Sequence, residues 1–148
     1  MRKNYIVDMD TLLYVPECIE KLGENDIFVP HPIIEELSKY EEAGGSKAEF
    51  ARKAMKKLQE YRGWGNLMEG VDTTCGGKLY LLSMKNLNYM DLPTGWEPAK
   101  ADNMILLVAK SFIREQAEKG KNTDTILVTK SANMQLKADI MGIPVESI

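Results

Sequence analysis

The sequence is poor in the residues that several common kinds of chemistry require. His31 is its one histidine, and it lies in a Pro-His-Pro tripeptide, so no Ser or Cys nucleophile has a histidine to act as its general base. Acyl-transfer chemistry is therefore excluded. The two cysteines, Cys18 and Cys75, lie far apart without a CxxC spacing. This argues against a structural zinc site and predicts reduced thiols in a cytoplasmic protein.

Other features are missing as well. No apolar run approaches the ~20 residues that span a bilayer, and the N-terminal segment reaches Asp8 after three apolar residues. We therefore predict neither a transmembrane helix nor a signal peptide, and no membrane partner. The net charge is −3, with 19 basic and 22 acidic residues, which excludes a polybasic protein. A phosphate-binding G-x-x-x-x-G-K-[ST] loop is absent, so ATP has no binding site of that kind.

What remains is ordinary globular composition. The chain has 148 residues, of which 44% are apolar and 28% charged, and neither a repeat nor a long linker divides it, so we expect one domain over residues 1–148. Short apolar runs alternate with segments of helical period, which predicts parallel βαβ units and an α/β fold. The predicted strands are residues 5–7, 27–29, 79–82 and 126–129.

Three helices are predicted from period and end signals. The first has Ser46 and Glu49 at capping-box spacing, an apolar face, and Gly63 as its end. The second covers about 98–119, and the third covers 132–141 with Ser131 as N-cap and Gly142 after its end. The Gly-rich residues 65–78 are expected to form a loop or a small hairpin. The predicted apolar face of the first helix comprises Phe50, Ala54, Leu58 and Tyr61.

Two carboxylates follow the first predicted strand directly. Asp8 and Asp10 come after Tyr-Ile-Val, and in extended chain residues i and i+2 point the same way. Ligands of open α/β sheets bind beyond the carboxyl ends of the strands, so both acids lie where chemistry is expected. An alternative role for Asp10 is to cap the helix that follows it.

A further carboxylate borders the core face of a predicted helix. At about 100° per residue, Glu36 falls roughly 40° outside the apolar arc of residues 33, 34, 37 and 40, whereas Glu35 lies nearly opposite its centre. A carboxylate at that border is costly unless a cation or hydrogen-bond donors satisfy it, which makes Glu36 a candidate ligand. A surface glutamate is the alternative interpretation.

Asp102 is the third candidate, at the start of a strongly apolar helix. An Asp in a first turn is common because it suits the helix dipole, so its value lies in combination with the others. If Asp8, Glu36 and Asp102 converge, they form an oxygen-only cluster suited to Mg²⁺ or Mn²⁺. Without an ion, these carboxylates would repel one another and raise one another's pKa.

Four segments of the chain resemble a known family. The segments YIVDMDTLL, IFVPHPIIEELSKYEE, KADNMILLVA and ILVTKSANMQLKADIMGIPVE, taken in order, look like a PIN domain, and in particular the PIN module of PhoH-like ATPases. The more specific stretches are EELSKYEE and LVTK…N…KAD…GIP. The resemblance covers about 90 residues and is weak between residues 63 and 93.

This resemblance implies a three-layer α/β/α sandwich with a mainly parallel sheet that cuts single-stranded RNA with Mg²⁺ or Mn²⁺. The family's acids match Asp8, Glu36 and Asp102. Asp8 and Asp102 would hold the principal ion, Glu36 would bind it or orient water, and Thr129 would position water or phosphate. A homodimer and an ATPase module, in cis or in trans, are partners that the resemblance also implies.

One position departs from the family pattern. Members usually place another acid shortly after the Val-Thr of the late strand, and this chain has Ser131 there. Asp10 is a candidate to restore the missing charge as a further metal ligand. Thr129 and Asn133 remain available as neutral ligands. The difference leaves open a module that binds RNA or a protein but is catalytically impaired.

A basic helix face is the candidate surface for nucleic acid. The helix after Ser46 carries six basic residues against two acidic ones, and Arg52, Lys53 and Lys56 lie opposite its apolar face. Lys130 and Asn133, beside the late strand, are also predicted to contact RNA. A solvated helix face would have the same pattern. Aromatic residues that could stack on bases, although packing is the simpler interpretation of each, are Tyr61, Trp64, Tyr89 and Trp96.

Two other enzyme classes begin with a similar motif. Asp8 and Asp10 after an apolar strand resemble the DxD opening of haloacid-dehalogenase-type phosphatases, in which the first Asp is the nucleophile. However, no later strand ends in paired acids and the chain leaves little room for a cap domain. A phosphorelay receiver domain is the other possibility, with Thr129 and Lys130 late in the chain, but a middle strand ending in a phosphoacceptor Asp is missing.

Overall fold

A six-stranded sheet forms the centre of the molecule. The structure is a computed structural model and describes residues 2–148. The strands, in chain order, are β1 Asn4–Val7, β2 Asp26–Pro30, β3 Val71–Asp72, β4 Lys78–Leu82, β5 Thr125–Thr129 and β6 Val145–Ser147. Their order across the sheet is β3-β4-β2-β1-β5-β6. All neighbouring strands are parallel except β3 and β4, which form an antiparallel hairpin.

Helices connect the parallel strands and flank the sheet. They are α1 Met9–Tyr14, α2 Cys18–Lys21, α3 Pro32–Ala43, α4 Ser46–Arg62, α5 Ala101–Glu118 and α6 Ala132–Ile140, with a short 3-10 helix at Tyr89–Asp91. Helices α1, α3 and α4 pack together, α5 packs on β2, and α6 packs on β5 and β6. The predicted α/β sandwich with a mainly parallel sheet is confirmed.

The core lies on the central strands because their side chains are apolar on both faces. Every residue of β1 and of β5 is buried, as expected for strands covered by helices on both sides. Phe28 of β2 stacks on Tyr80 of β4 with ring centroids 4.6 Å apart. Phe112 of α5 also packs against Phe28, with its ring centroid 4.8 Å from that of Phe28. No helix within residues 2–148 is long and apolar enough to cross a bilayer.

The predicted capping box at Ser46 is wrong. Helix α4 does begin at Ser46, but its N-cap is Gly45 and no side chain caps it, while Glu49 pairs with Arg52 at 2.9 Å. Gly44 and Gly45 have φ of 72° and 85°, so a two-glycine turn sets the start of this helix. Phe50, predicted on the buried face, is 40% exposed and lies edge-on to Tyr14.

Other boundaries also differ from the predictions. The second predicted helix starts at Ala101, because Pro98 and Ala99 lie in the turn that precedes it. The glycine-rich segment contains the hairpin of β3 and β4, one of the two predicted alternatives. Strand β6 was not predicted, and its partly exposed three residues carry no alternating pattern. Ser131 caps α6 as predicted, accepting a hydrogen bond from Met134 N at 3.2 Å.

Candidate active site

The candidate site lies at the edge of the sheet where β1, β2 and β5 end. Because these strands are parallel, their carboxyl ends meet at one edge. Asp8 follows β1, the first turn of α3 follows β2, and Ser131 follows β5. Helix α5, whose chain runs back from this edge, brings Asp102 in its first turn.

Asp8 is buried at the centre of this edge, with 1% of its surface exposed. It is the N-cap of α1, and its Oδ1 accepts a hydrogen bond from Thr11 N at 3.1 Å. Its Oδ2 accepts a hydrogen bond from the Thr129 hydroxyl at the end of β5. The carboxylate therefore joins the first and fifth strands.

The two predictions for Asp10 are wrong. Asp10 is neither in extended chain nor the cap of the following helix, because α1 begins at Met9 and Asp10 lies exposed in its first turn.

Thr129 and Thr11 fix the position of Asp8. The Thr129 hydroxyl donates its hydrogen to Asp8 and accepts a hydrogen bond from Ser131 N at 3.0 Å. Thr11 Oγ1 contacts Val128 O at 3.5 Å and accepts from Lys130 N at 3.2 Å. Both threonines are completely buried. Since the Thr129 hydrogen is engaged by Asp8, Thr129 acts in this structure by orienting a carboxylate.

Burial and neighbouring carboxylates raise the pKa values of Asp8 and Asp102. Burial raises the pKa of Asp8, against the lowering effect of its hydrogen bonds, and the charge of Asp10 raises it further. Burial likewise raises the pKa of Asp102, with further increases from Asp10 and Glu36 and an opposing effect from Lys137. Asp10 therefore acts on both Asp8 and Asp102, and Glu36 acts on Asp102.

Glu36 has the environment predicted for it. Its side chain is 23% exposed, and its Oε1 lies 3.3 Å from Lys39 Nζ, whereas Glu35 is exposed. The first turns of α3 and α5 enclose an open groove of about 240 Å³. Its lining comprises His31, Pro32, Glu35, Glu36, Lys39, Pro98, Ala99, Ala101 and Met104.

The donor set suits a hard divalent cation. The site offers carboxylate oxygens from Asp8, Asp10, Glu36 and Asp102, the ligand type that Mg²⁺ and Mn²⁺ prefer. A positive charge would relieve the repulsion that Asp10 exerts on Asp8 and Asp102. Within residues 2–148, however, no three His, Cys, Asp or Glu side chains are close enough together to form a ready-made metal site.

The predicted RNA contacts lie on two different elements. Lys130 and Asn133 are exposed at the start of α6, directly after Thr129. Arg52, Lys53 and Lys56 are exposed on α4, where Arg52 is paired with Glu49. These three residues do not line the described groove. The basic face of α4 therefore lies outside the groove between α3 and α5.

The aromatic candidates also differ in their surroundings. Tyr61 is buried and its hydroxyl donates to Glu20 at 2.5 Å, so it belongs to the packing between α4 and α2. Trp64 and Tyr89 are 63% and 54% exposed. Trp96 packs beside Lys137, whose Nζ lies 5.0 Å from the centre of the indole ring.

Sequence reasoning missed the residues that surround Asp102. Lys137 Nζ donates to Asn103 Oδ1 at 2.8 Å, and Asn103 is buried next to Asp102 in α5. Lys137 begins the later of the two Lys-Ala-Asp sequences, at residues 137–139, and no role was predicted for this lysine from the sequence. Lys39, which lies at the groove, was likewise overlooked within EELSKYEE.

Comparison with known proteins identifies the relatives of this chain. The family model described as PIN domain matches residues 5–148. The chain is 30% identical over 146 residues to Protein PhoH2 of Bacillus subtilis (strain 168), covering 99% of this chain and 33% of that protein. It is 28% identical over 150 residues to Protein PhoH2 of Thermobispora bispora, covering 97% and 31%. The chain thus spans about a third of the length of these curated relatives.

A solved structure shares the fold. A domain of a functionally unknown protein from Methanocaldococcus jannaschii DSM 2661 superposes with a TM-score of 0.65 at 20% identity, and the match covers 99% of this chain and 91% of that one. At this level of identity the similarity concerns the arrangement of strands and helices.

Proposed function

This chain belongs to the PIN domain family, and we propose that it is an endoribonuclease that hydrolyses phosphodiester bonds of single-stranded RNA with Mg²⁺ or Mn²⁺. PIN domains are generally nucleases, and the proposal adds the substrate and the ion. The observation that supports it is the position of Asp8 directly after β1 and of Glu36 and Asp102 near the starts of α3 and α5. Burial raises the pKa of Asp8 and of Asp102, and the charge of Asp10 raises both further.

Each residue has a defined part in the proposed reaction. Asp8 and Asp102 hold the ion, with Glu36 and Asp10 as further ligands, and Thr129 keeps the Asp8 carboxylate in place. A bound divalent ion supplies the charge that activates water and stabilises the attacked phosphate. The groove between α3 and α5 receives the strand next to the bond, and Lys130 and Asn133 contact its phosphates. No protein nucleophile is required.

The test is cleavage of a single-stranded RNA in Mn²⁺. We expect Asp8→Asn and Asp102→Asn to reduce the cleavage rate by about 100-fold or more, because each removes a ligand charge. Asp124→Asn is the matched control, since Asp124 is exposed just before β5, at the opposite edge of the sheet. Unchanged cleavage in both site variants would exclude this site.

Ser131 supports a second candidate, a module that binds RNA or protein with impaired turnover. Where family members usually have an acid, the Ser131 hydroxyl caps α6 and offers no charge. A faster Ser131→Asp variant would show that the missing acid limits catalysis. The phosphatase alternative predicts a phosphoryl group trapped on Asp8, which labelled phosphate would reveal. A cytoplasmic location, a homodimer and an ATPase module acting with this domain are also part of the proposal.

A further inference from the structure

Lys137 is held beside Asp102 by two uncharged partners. Its Nζ donates to Asn103 Oδ1 at 2.8 Å and lies 5.0 Å from the centre of the Trp96 ring. Asn103 follows Asp102 in the first turn of α5, and Trp96 lies in the segment that leads into this helix. The ammonium group is therefore positioned by the same helix turn that carries a candidate metal ligand.

The partners of Lys137 are themselves fixed. Asn103 is 2% exposed, and its Nδ2 donates to the Glu97 carbonyl at 2.9 Å. With Nδ2 engaged, the amide directs Oδ1 at Lys137. The indole face favours a cation over a neutral group. Both contacts hold the ammonium in place without neutralising its charge.

The charge of Lys137 remains available to an anion. Across residues 2–148, no carboxylate lies within 4.0 Å of its Nζ, although its charge is close enough to lower the pKa of Asp102. Lys57 shows the contrast, because its Nζ is 2.5 Å from Glu20 Oε1. An ammonium has three N–H donors, and Asn103 accepts from one of them. The half-buried Lys137 thus has donors left for a ligand.

We propose that Lys137 binds an RNA phosphate beside the carboxylate edge and that its charge also weakens the binding of the divalent ion there. This inference rests on the proposed function and adds a substrate contact to the same site. The two effects have opposite signs, because the ammonium attracts phosphate and repels the metal cation. A lysine that only linked α6 to α5 would not produce this pair of effects.

The test compares Lys137→Met with the wild-type chain in two titrations. Methionine keeps an unbranched stem against Trp96 and removes the charge. We expect Mn²⁺, followed by calorimetry without RNA, to bind about threefold more tightly to the variant. Binding of a fluorescent single-stranded RNA in EDTA should weaken several-fold, and the slope of log affinity against log salt should fall by about 0.7.

Two further variants complete the design. Lys137→Arg keeps the charge and should restore the wild-type salt slope. Lys110→Met is the matched control, because Lys110 also bridges α5 to the end of α6, donating to Met141 O at 2.8 Å. We expect it to change neither the Mn²⁺ affinity nor the salt slope.

The outcomes separate the two proposals. If the wild-type chain binds no Mn²⁺, or if Asp102→Asn binds it equally well, the proposed function is wrong and this inference fails with it. If Mn²⁺ binds through Asp102 but Lys137→Met leaves either the ion affinity or the salt slope unchanged, only the role of Lys137 is wrong. The same holds if Lys110→Met reproduces both changes.

Discussion

Asp8 lies at the end of the first strand, and each of its carboxylate oxygens already accepts a hydrogen bond from the chain. Thr11 N satisfies one oxygen and the Thr129 hydroxyl the other. A carboxylate oxygen has more than one lone pair, so an ion can bind without displacing these donors. The hydrogen bonds thus hold a costly buried charge in the orientation that a ligand needs.

Asp102 is a source of instability in the metal-free protein. Its pKa is raised chiefly by burial and then by Asp10, so the folded state favours the protonated form more than the unfolded chain does. This preference stabilises the folded protein at pH values below 3.8, and it is lost as the pH rises through the raised pKa. We expect Asp102→Asn to have a higher urea midpoint than wild type at pH 7 in EDTA.

Urea unfolding at pH 7 and at pH 3 tests whether Asp102→Asn raises the midpoint. The difference between the two proteins should shrink at pH 3, where Asp102 is protonated in both the folded and the unfolded state. Asp124→Asn, which removes an exposed carboxylate, should change little. A lower midpoint for Asp102→Asn at pH 7 would contradict the prediction.

Individual site residues differ in how far the sequence predicts them. Asp8 could be found because a buried strand ends there, and the half-buried environment of Glu36 follows from helical period. Lys137 could not be placed, because its partner Asn103 is 34 residues away and is reached only when α6 packs near α5. Packing between the two helices determines that contact, and the residues around either position do not predict it.

Among the elements, turns are harder to predict than the helices and strands they join. Helix α4 was predicted from its period, but the predicted cap was wrong because two glycines with positive φ precede it. Strand β6 was missed because three residues at a sheet edge, two of them exposed, have no distinct pattern. Central strands were predicted to within one residue, since burial on both faces demands continuous apolar runs.

The β3–β4 hairpin depends on a glycine for space. A Cβ at Gly77 would lie 1.9 Å from the Asn25 carbonyl oxygen, and backbone cannot move aside as a side chain does. We expect Gly77→Ala to lower the free energy of unfolding by about 1–3 kcal/mol. Gly120→Ala is the control, because Gly120 has open space around it and only a positive φ of 70°. Chemical denaturation of both variants checks this, and equal losses would contradict it.

The basic face of helix α4 is a candidate surface for RNA. Lys53 and Lys56 are exposed on the basic face, and neither is part of an ion pair among residues 2–148. If both contact RNA, a Lys53→Gln/Lys56→Gln double variant should lower the salt slope of RNA binding by about 1.4. Lys119→Gln/Lys121→Gln removes two exposed lysines beyond the far end of α5 and serves as control. Equal slopes in the two double variants would show that α4 is only a solvated face.

For the whole molecule, an ion at the carboxylate edge should stabilise the fold. Asp8 links β1 to β5, and Asp102 begins α5, so an ion bound by both ties distant segments together. At a Mn²⁺ concentration 100 times its dissociation constant, the free energy of unfolding should rise by about 2.7 kcal/mol. Thermal unfolding with and without Mn²⁺ measures this, and the same rise in Asp102→Asn would place the ion elsewhere.

The pairing of β1 with β5 affects how the chain folds during translation. Asp8 and Thr129 are separated by 121 residues, so β1 emerges from the ribosome long before its neighbour on one side exists. Until then one flank of the first strand is open, and the Asp8 carboxylate lacks its Thr129 donor. A nascent chain therefore reaches its full complement of site residues only after β5 and α6 have emerged from the ribosome.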